Sequence, residues 1–330
     1  MDIALAVAAF GIGLVVGMTG MGGGALMTPV LVLFFNVPPL TAVSSDLVAG
    51  AVMKPVGAAV HMRRGTVNLR LVAWLCVGSM PAAFCGVLLA RALGDGEQMQ
   101  VIIQRALGLA LLIAAAGLTV RAYLRLVERA RKRDGTAPRT PSGPPVITVR
   151  RLPTVVVGII GGLVVGLTSV GSGSLIIIAL MALYPGLKAG QLVGTDLFQA
   201  VPLVGCAALG HLLFGDFSMH LTGALLLGSI PGVWLGARIS SRAPGGFIRR
   251  VLAFVLLASA LKMLGVGTLT TGVLLAAALL VAPPLWMVIR RRHGFPMLAR
   301  RETAAPASPQ GALASDGDGP TNRGSRPSVR

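Results

Sequence analysis

Predominantly apolar runs of eighteen or more residues recur along this chain, over Thr41 to His61, Leu69 to Ala90, Gln98 to Val120, Leu221 to Arg238 and Thr268 to Ile289. As a helix, each is long enough to cross a hydrocarbon core about 30 Å thick, where every backbone polar group has to be satisfied internally. That restriction predicts an all-α polytopic membrane protein. With 54% apolar and 12% charged residues, the chain has too little charge to cover a soluble domain of 330 residues. Met1-Asp2-Ile3-Ala4-Leu5 carries no basic n-region, so the first segment is expected to remain in the mature protein.

The net charge of +18 does not point to nucleic acid, because Lys and Arg lie between and after the apolar runs, where they read as cytoplasmic anchors. Cys76, Cys85 and Cys206 sit inside apolar segments with no His or Cys at ligand spacing, so they read as small packing residues; no metal or cofactor motif occurs.

The chain repeats itself. An offset of 149 lays Gly17-Met18-Thr19-Gly20-Met21-Gly22-Gly23-Gly24 on Gly166-Leu167-Thr168-Ser169-Val170-Gly171-Ser172-Gly173. With one added residue the offset becomes 150, and Val43, Ser45, Asp46 and Leu47 fall on Val193, Thr195, Asp196 and Leu197. The same offset pairs His61 with His211, Gly65 with Gly215, and Gly78, Ser79, Pro81 and Gly86 with Gly228, Ser229, Pro231 and Gly236. Internal duplication of this kind is typical of secondary transporters. The expected organisation is a first membrane repeat over 1–125, a basic cytoplasmic linker over 126–151, a second repeat over 152–266, an extra helix over 267–290, and a basic, then disordered, tail over 291–330.

Charge then selects the topology. The segment Ile3 to Asn36 is too long for one crossing and too short for two, with glycines Gly20 to Gly24 at its centre. A single crossing would make the halves parallel and place Arg238, Arg242, Arg249, Arg250 and Arg290 to Arg292 outside, against the positive-inside rule. A hairpin turning at the glycines puts every basic cluster inside and leaves the loops bearing Asp95, Glu97 and Asp216 outside. The expected fold is therefore two inverted repeats, each a glycine-broken hairpin plus three transmembrane helices, with the N-terminus outside. Whether the hairpin arms cross fully is not readable from sequence.

After each glycine turn a new apolar helix is expected, over Ala25 to Phe35 and over Ser174 to Tyr184, its positive end aimed at a shared centre. Such a place favours an anion, held by Thr19, Gly20, Gly22, Gly23 and Gly24 in one half and Thr168, Ser169, Gly171, Ser172 and Gly173 in the other. The glycines also suit close helix packing, the plainer role for Gly13-x-x-x-Gly17 and Gly162-x-x-x-Gly166. Asp46 and Asp196, repeat mates within predicted spans, are candidates for proton coupling. Their settings, Ser45-Asp46 and Thr195-Asp196, equally resemble helix starts, where a carboxylate caps. Lys54, whose repeat mate is Val204, either pairs with Asp46 or faces the anion. Arg105 and Lys262 can snorkel. His61 and His211 lie near helix ends, as structural interfacial residues or as proton relays.

At these residues the chain resembles the sulfite exporter family TauE/SafE. The matching elements are the Thr19 to Gly24 turn followed by Pro29, the Ala42 to Leu47 and Val193 to Leu197 segments, Arg64-Gly65-Thr66-Val67, and Gly228-Ser229-Ile230-Pro231-Gly232, spanning about Gly11 to Gly265. The resemblance implies a multi-pass plasma-membrane permease for sulfite, sulfonates or related sulfur-containing organic anions, and no enzyme. The family often has Gly-Thr-Ser where this chain reads Ser44-Ser45-Asp46 and Gly194-Thr195-Asp196. Rival assignments are an intramembrane serine hydrolase using Ser172 and His211, and a passive anion channel. An inside-negative potential favours anion export by about 2.3 kcal/mol per charge per 100 mV.

Overall fold

The computed structural model describes residues 3–19, 23–63, 65, 67–92, 96–134, 148–187, 189–215, 217–239 and 245–295. Among them the regular elements are eleven helices: α1 (Ile3–Thr19), α2 (Gly24–Phe34), α3 (Pro39–Arg63), α4 (Leu69–Ala92), α5 (Glu97–Arg133), α6 (Arg151–Thr168), α7 (Leu175–Leu183), α8 (Ala189–Phe214), α9 (Met219–Ile239), α10 (Gly245–Met263) and α11 (Thr268–Arg292). Six of these, α4, α5, α6, α8, α9 and α11, are long and apolar enough to cross a membrane. The protein is an all-helical, multi-pass membrane chain.

The hairpin arms are unequal. At 11 and 9 residues, α2 and α7 are about 16 and 13 Å long, roughly half the depth of a hydrocarbon core. α6, with 18 residues, is one of the six able to cross, and α1, with 17, is slightly shorter. At its far end α5 runs on to Arg133, past the boundary expected at 125, so the start of the expected linker is helical. Residues 135–147 of that linker and the tail from 296 lie outside the described residues, as do Arg64, Asp95, Asp216 and Arg242.

The packing is reciprocal between α1–α5 and their repeat mates α6–α10. α1 lies along α9 and, in exchange, α6 lies along α4. Gly78 and Gly86 of α4 press on the backbone of Val155 and Leu163, and their mates Gly228 and Gly236 press on Ala6 and Leu14. Gly13 and Gly162 close the same seams from the other side: a Cβ at Gly13 would stand 2.6 Å from the Ser229 carbonyl oxygen, and one at Gly162 2.7 Å from the Ser79 Cα. Glycine is what allows these backbones to touch.

Between the seams, α3 packs on its own mate α8, and α5 on α10. Leu107 and Leu111 of α5 bury against Leu252 and Leu256 of α10. α3 and α8 run antiparallel: Ser44 near the start of α3 meets His211 near the end of α8, Gly50 meets Val204, and Asn68 beyond α3 meets Thr195 near the start of α8. α11 stands outside this arrangement, touching α10, with side chains such as Leu280 75% exposed. An apolar surface of that kind suits lipid rather than water.

Candidate functional site

The two glycine-broken hairpins meet at the centre of the α3–α8 pair. α6 stops at Thr168 because Ser169 turns left-handed, at φ 58°, with its N–H on the Val165 carbonyl, and Gly171 and Gly173 follow at φ 129° and 104°. These conformations strongly favour glycine, so the second turn depends on its glycines. Thr168 Oγ1 is used within the turn, donating to the Val164 carbonyl at 2.6 Å and accepting from the Val170 N–H at 3.2 Å. The opposite hairpin arrives at Gly24, where an added Cβ would stand 2.7 Å from Ser169 Oγ. Gly20 and Gly22 lie outside the described residues, as does the side chain of Thr19, the last residue of α1; Gly23 is buried just ahead of α2.

The expected free N–H groups at the start of α7 are partly used. The N–H groups of Ser174, Leu175 and Ile176 converge on the Gly171 carbonyl at 3.4, 3.1 and 3.4 Å. Side chains therefore carry more of the site's polarity than the helix start does.

Asp46 and Asp196 do not cap helices. α3 starts at Pro39 and α8 at Ala189, about two turns earlier, so both carboxylates project from helix interiors. Their surroundings differ. Asp46, 2% exposed, accepts at Oδ2 from Thr28 Oγ1 at 3.1 Å and from Ser169 Oγ at 2.6 Å, tying α2, α3 and the end of α6 together. Asp196 is 1% exposed, and neither carboxylate oxygen has a hydrogen-bond partner among the described residues. The backbone N–H of Gly173 is close by without meeting hydrogen-bond geometry. Ser45 Oγ is likewise buried and unpartnered, whereas Thr195 Oγ1 accepts from the Asn68 N–H at 3.1 Å.

Lys54 reaches across the repeats. Its Nζ donates to Ser172 Oγ at 2.7 Å, inside the second glycine turn, and its charge acts on both Asp46 and Asp196 without an ion pair to either. Of its two expected placements, the ion pair with Asp46 is not formed.

A profile of the family described as "Sulfite exporter TauE/SafE" matches residues 5–263. The chain belongs to that family. Among curated proteins, relatives of this chain in Bacillus subtilis (strain 168) are named probable membrane transporter proteins. YjnA is 37% identical over 265 residues, covering 80% of this chain and all of YjnA. YdhB is 26% identical over 235 residues, covering 71% of this chain and 89% of its own. No solved structure matches. The family and these names describe transporters rather than enzymes, and in this TauE/SafE chain the Ser172–His211 pair of a hydrolase is not formed. His211 is fully buried, with Nε2 donating to the Gly166 carbonyl at 2.8 Å and Nδ1 against Ser44 Oγ at 2.8 Å, while Ser172 engages Lys54. His61 belongs to α3, but its side chain lies outside the described residues.

Sequence reasoning missed Thr28, Ser44, Ser79 and Gln199, all buried polar residues. Gln199 Nε2 donates to Ser79 Oγ at 2.6 Å, and its Oε1 is buried without a partner. The signal lay in mismatches between the repeats: the mates of Thr28, Ser44 and Gln199 are Ile177, Gly194 and Ala49.

Proposed function

We propose that the chain moves a small sulfur-containing oxoanion, sulfite or a short sulfonate, through a central site formed by Lys54 and the Ser169–Ser174 turn. The observation that carries this is the Lys54–Ser172 contact: a cation about four turns from the start of α3 and more than two from its end, held by a hydroxyl of the opposite repeat. A membrane-embedded charge is costly and is retained where a pathway needs it. Gly171 and Gly173, with Thr168 and Ser169, shape the second turn beside Lys54, and Asp196 is the carboxylate that would exchange a proton there. The antiparallel α3 and α8 support two repeats of opposite orientation, with the site at their interface near mid-depth. On that arrangement the basic linker and tail are cytoplasmic, the N-terminus is outside, and the membrane is the inner membrane.

The test is uptake of labelled sulfite and of methanesulfonate into proteoliposomes by the native chain and by Lys54→Gln. The native chain is expected to carry at least one of the two, and Lys54→Gln to be slower by about tenfold or more, the equivalent of at least 1.4 kcal/mol. Full flux in Lys54→Gln removes the site; no flux of either anion removes the function.

A further inference from the structure

Asp46 and Asp196 are repeat mates of identical type, yet the structure gives them opposite surroundings. We infer that they divide the work of coupling: Asp196 binds and releases the transported proton, while Asp46 is a fixed latch that holds the hairpins together. This rests on the proposed anion carrier.

The contrast is built into the repeats. Asp46 Oδ2 is held by the Thr28 and Ser169 hydroxyls. The repeat mates of Thr28 and Ser169 are Ile177 and Gly20, residue types with no hydroxyl to offer. Asp196 accordingly has both oxygens buried and unbonded, next to the Gly171–Gly173 turn that Lys54 engages. The charged groups acting on Asp196 are Lys54 from α3 and, more weakly, Arg121 from α5; α7 contributes none.

Charge counting gives the cycle. With Asp46 and Asp196 ionised and Lys54 protonated, these three groups sum to −1, and an entering anion meets net repulsion in a medium that screens poorly. One proton on an Asp196 oxygen brings the sum to zero and leaves Lys54 free to face the anion. The O–H bond forms with the site open to one side of the membrane and breaks with it open to the other, so a monovalent anion crosses with one proton and no net charge. No oxidation or reduction is involved. Removing the proton from the cycle leaves the anion site but no link to pH. Breaking the Asp46 latch instead loosens α2 from α6 and leaves that link intact.

The experiment uses the full chain in proteoliposomes with sulfite and methanesulfonate as probes, and has three readouts: anion exchange at equal pH over a range of pH, uptake with an imposed pH gradient, and the melting temperature in detergent. Asp196→Asn is expected to exchange anion at a rate that no longer varies with pH and to lose the acceleration a proton gradient gives the native chain. The double variant Thr28→Val/Ser169→Ala is expected to melt lower and exchange more slowly at every pH, while keeping the gradient acceleration. Gradient acceleration surviving in Asp196→Asn, or lost in the double variant, overturns the inference. So does loss of exchange in Asp196→Asn at native melting temperature. Should Asp196→Asn melt lower, Asp196→Glu decides: it is expected to keep a gradient response at a displaced pH, and losing that response overturns the assignment. A native chain that exchanges anion but ignores the gradient overturns this inference and leaves the anion carrier standing; one that exchanges neither probe overturns the carrier itself.

Discussion

Replacing Gly13 or Gly162 by alanine probes the joint that holds the repeats together. In Gly13→Ala the new methyl stands 2.6 Å from the Ser229 carbonyl oxygen, and in Gly162→Ala 2.7 Å from the Ser79 Cα, in each case against backbone that no rotamer change can move aside. Ordinary contacts lie at about 3.5–4.0 Å, so the paired helices have to separate by about 1 Å. Overpacking of this kind costs about 1–3 kcal/mol. The gain from replacing a helical glycine, about 0.5–1 kcal/mol, offsets only part of it. Gly205, in α8, is the control: a Cβ there meets nothing within 4 Å, and alanine should stabilise by about 0.4–1 kcal/mol. The assay is the fraction of monodisperse protein left after graded heating in detergent. Gly13→Ala and Gly162→Ala should both melt below the native chain, and by similar amounts because they occupy equivalent seams, while Gly205→Ala melts at or above it. If the two seam variants track Gly205→Ala, the reciprocal backbone contact of α1 with α9 and α6 with α4 is wrong.

Ser44→Ala leaves His211 Nδ1 buried without its partner and should destabilise by about 1–3 kcal/mol, seen as a lower melting temperature; an unchanged value would remove the Ser44–His211 bond from the structure's account. In a chain with Cys76, Cys85 and Cys206 replaced by serine, Ser142→Cys should react with an impermeant thiol reagent only from the cytoplasmic side and Glu97→Cys only from outside. Labelling in the reverse sense would overturn the orientation.

The apolar runs and the duplication predicted the helices closely. α2 and α7 begin and end within a residue of the expected Ala25–Phe35 and Ser174–Tyr184, and α4, α9 and α11 within three residues of theirs. Helix length and apolarity are local properties, and the glycine punctuation is local too. The capping role considered for Asp46 and Asp196 fails for an equally local reason. Ser-Asp and Thr-Asp resemble helix starts, but α3 and α8 had already begun at Pro39 and Ala189, and proline at the first helical position is itself a start signal.

The candidate site was half legible. Its residue types could be nominated because charges and hydroxyls are conspicuous in an apolar chain: Asp46, Lys54, Ser169, Ser172 and Asp196 were all visible. Thr28, Ser44 and Gln199 were overlooked because a single polar residue in a membrane helix is commonplace, and only its buried partner gives it meaning.

The sequence alone determined that this chain spans a membrane through helices, that it is built from two related halves, and which residues break the pattern, since each follows from apolar length, glycine and self-similarity. The tertiary structure decided which of those residues meet. Lys54 finds Ser172 and Asp46 finds Ser169 across more than a hundred residues of chain, and Asp196 finds no partner. The physical reason is that these contacts form where the first hairpin of one repeat docks into the other. At that junction, helices related by the repeat carry different side chains, and no property of either repeat alone specifies how the differences face one another.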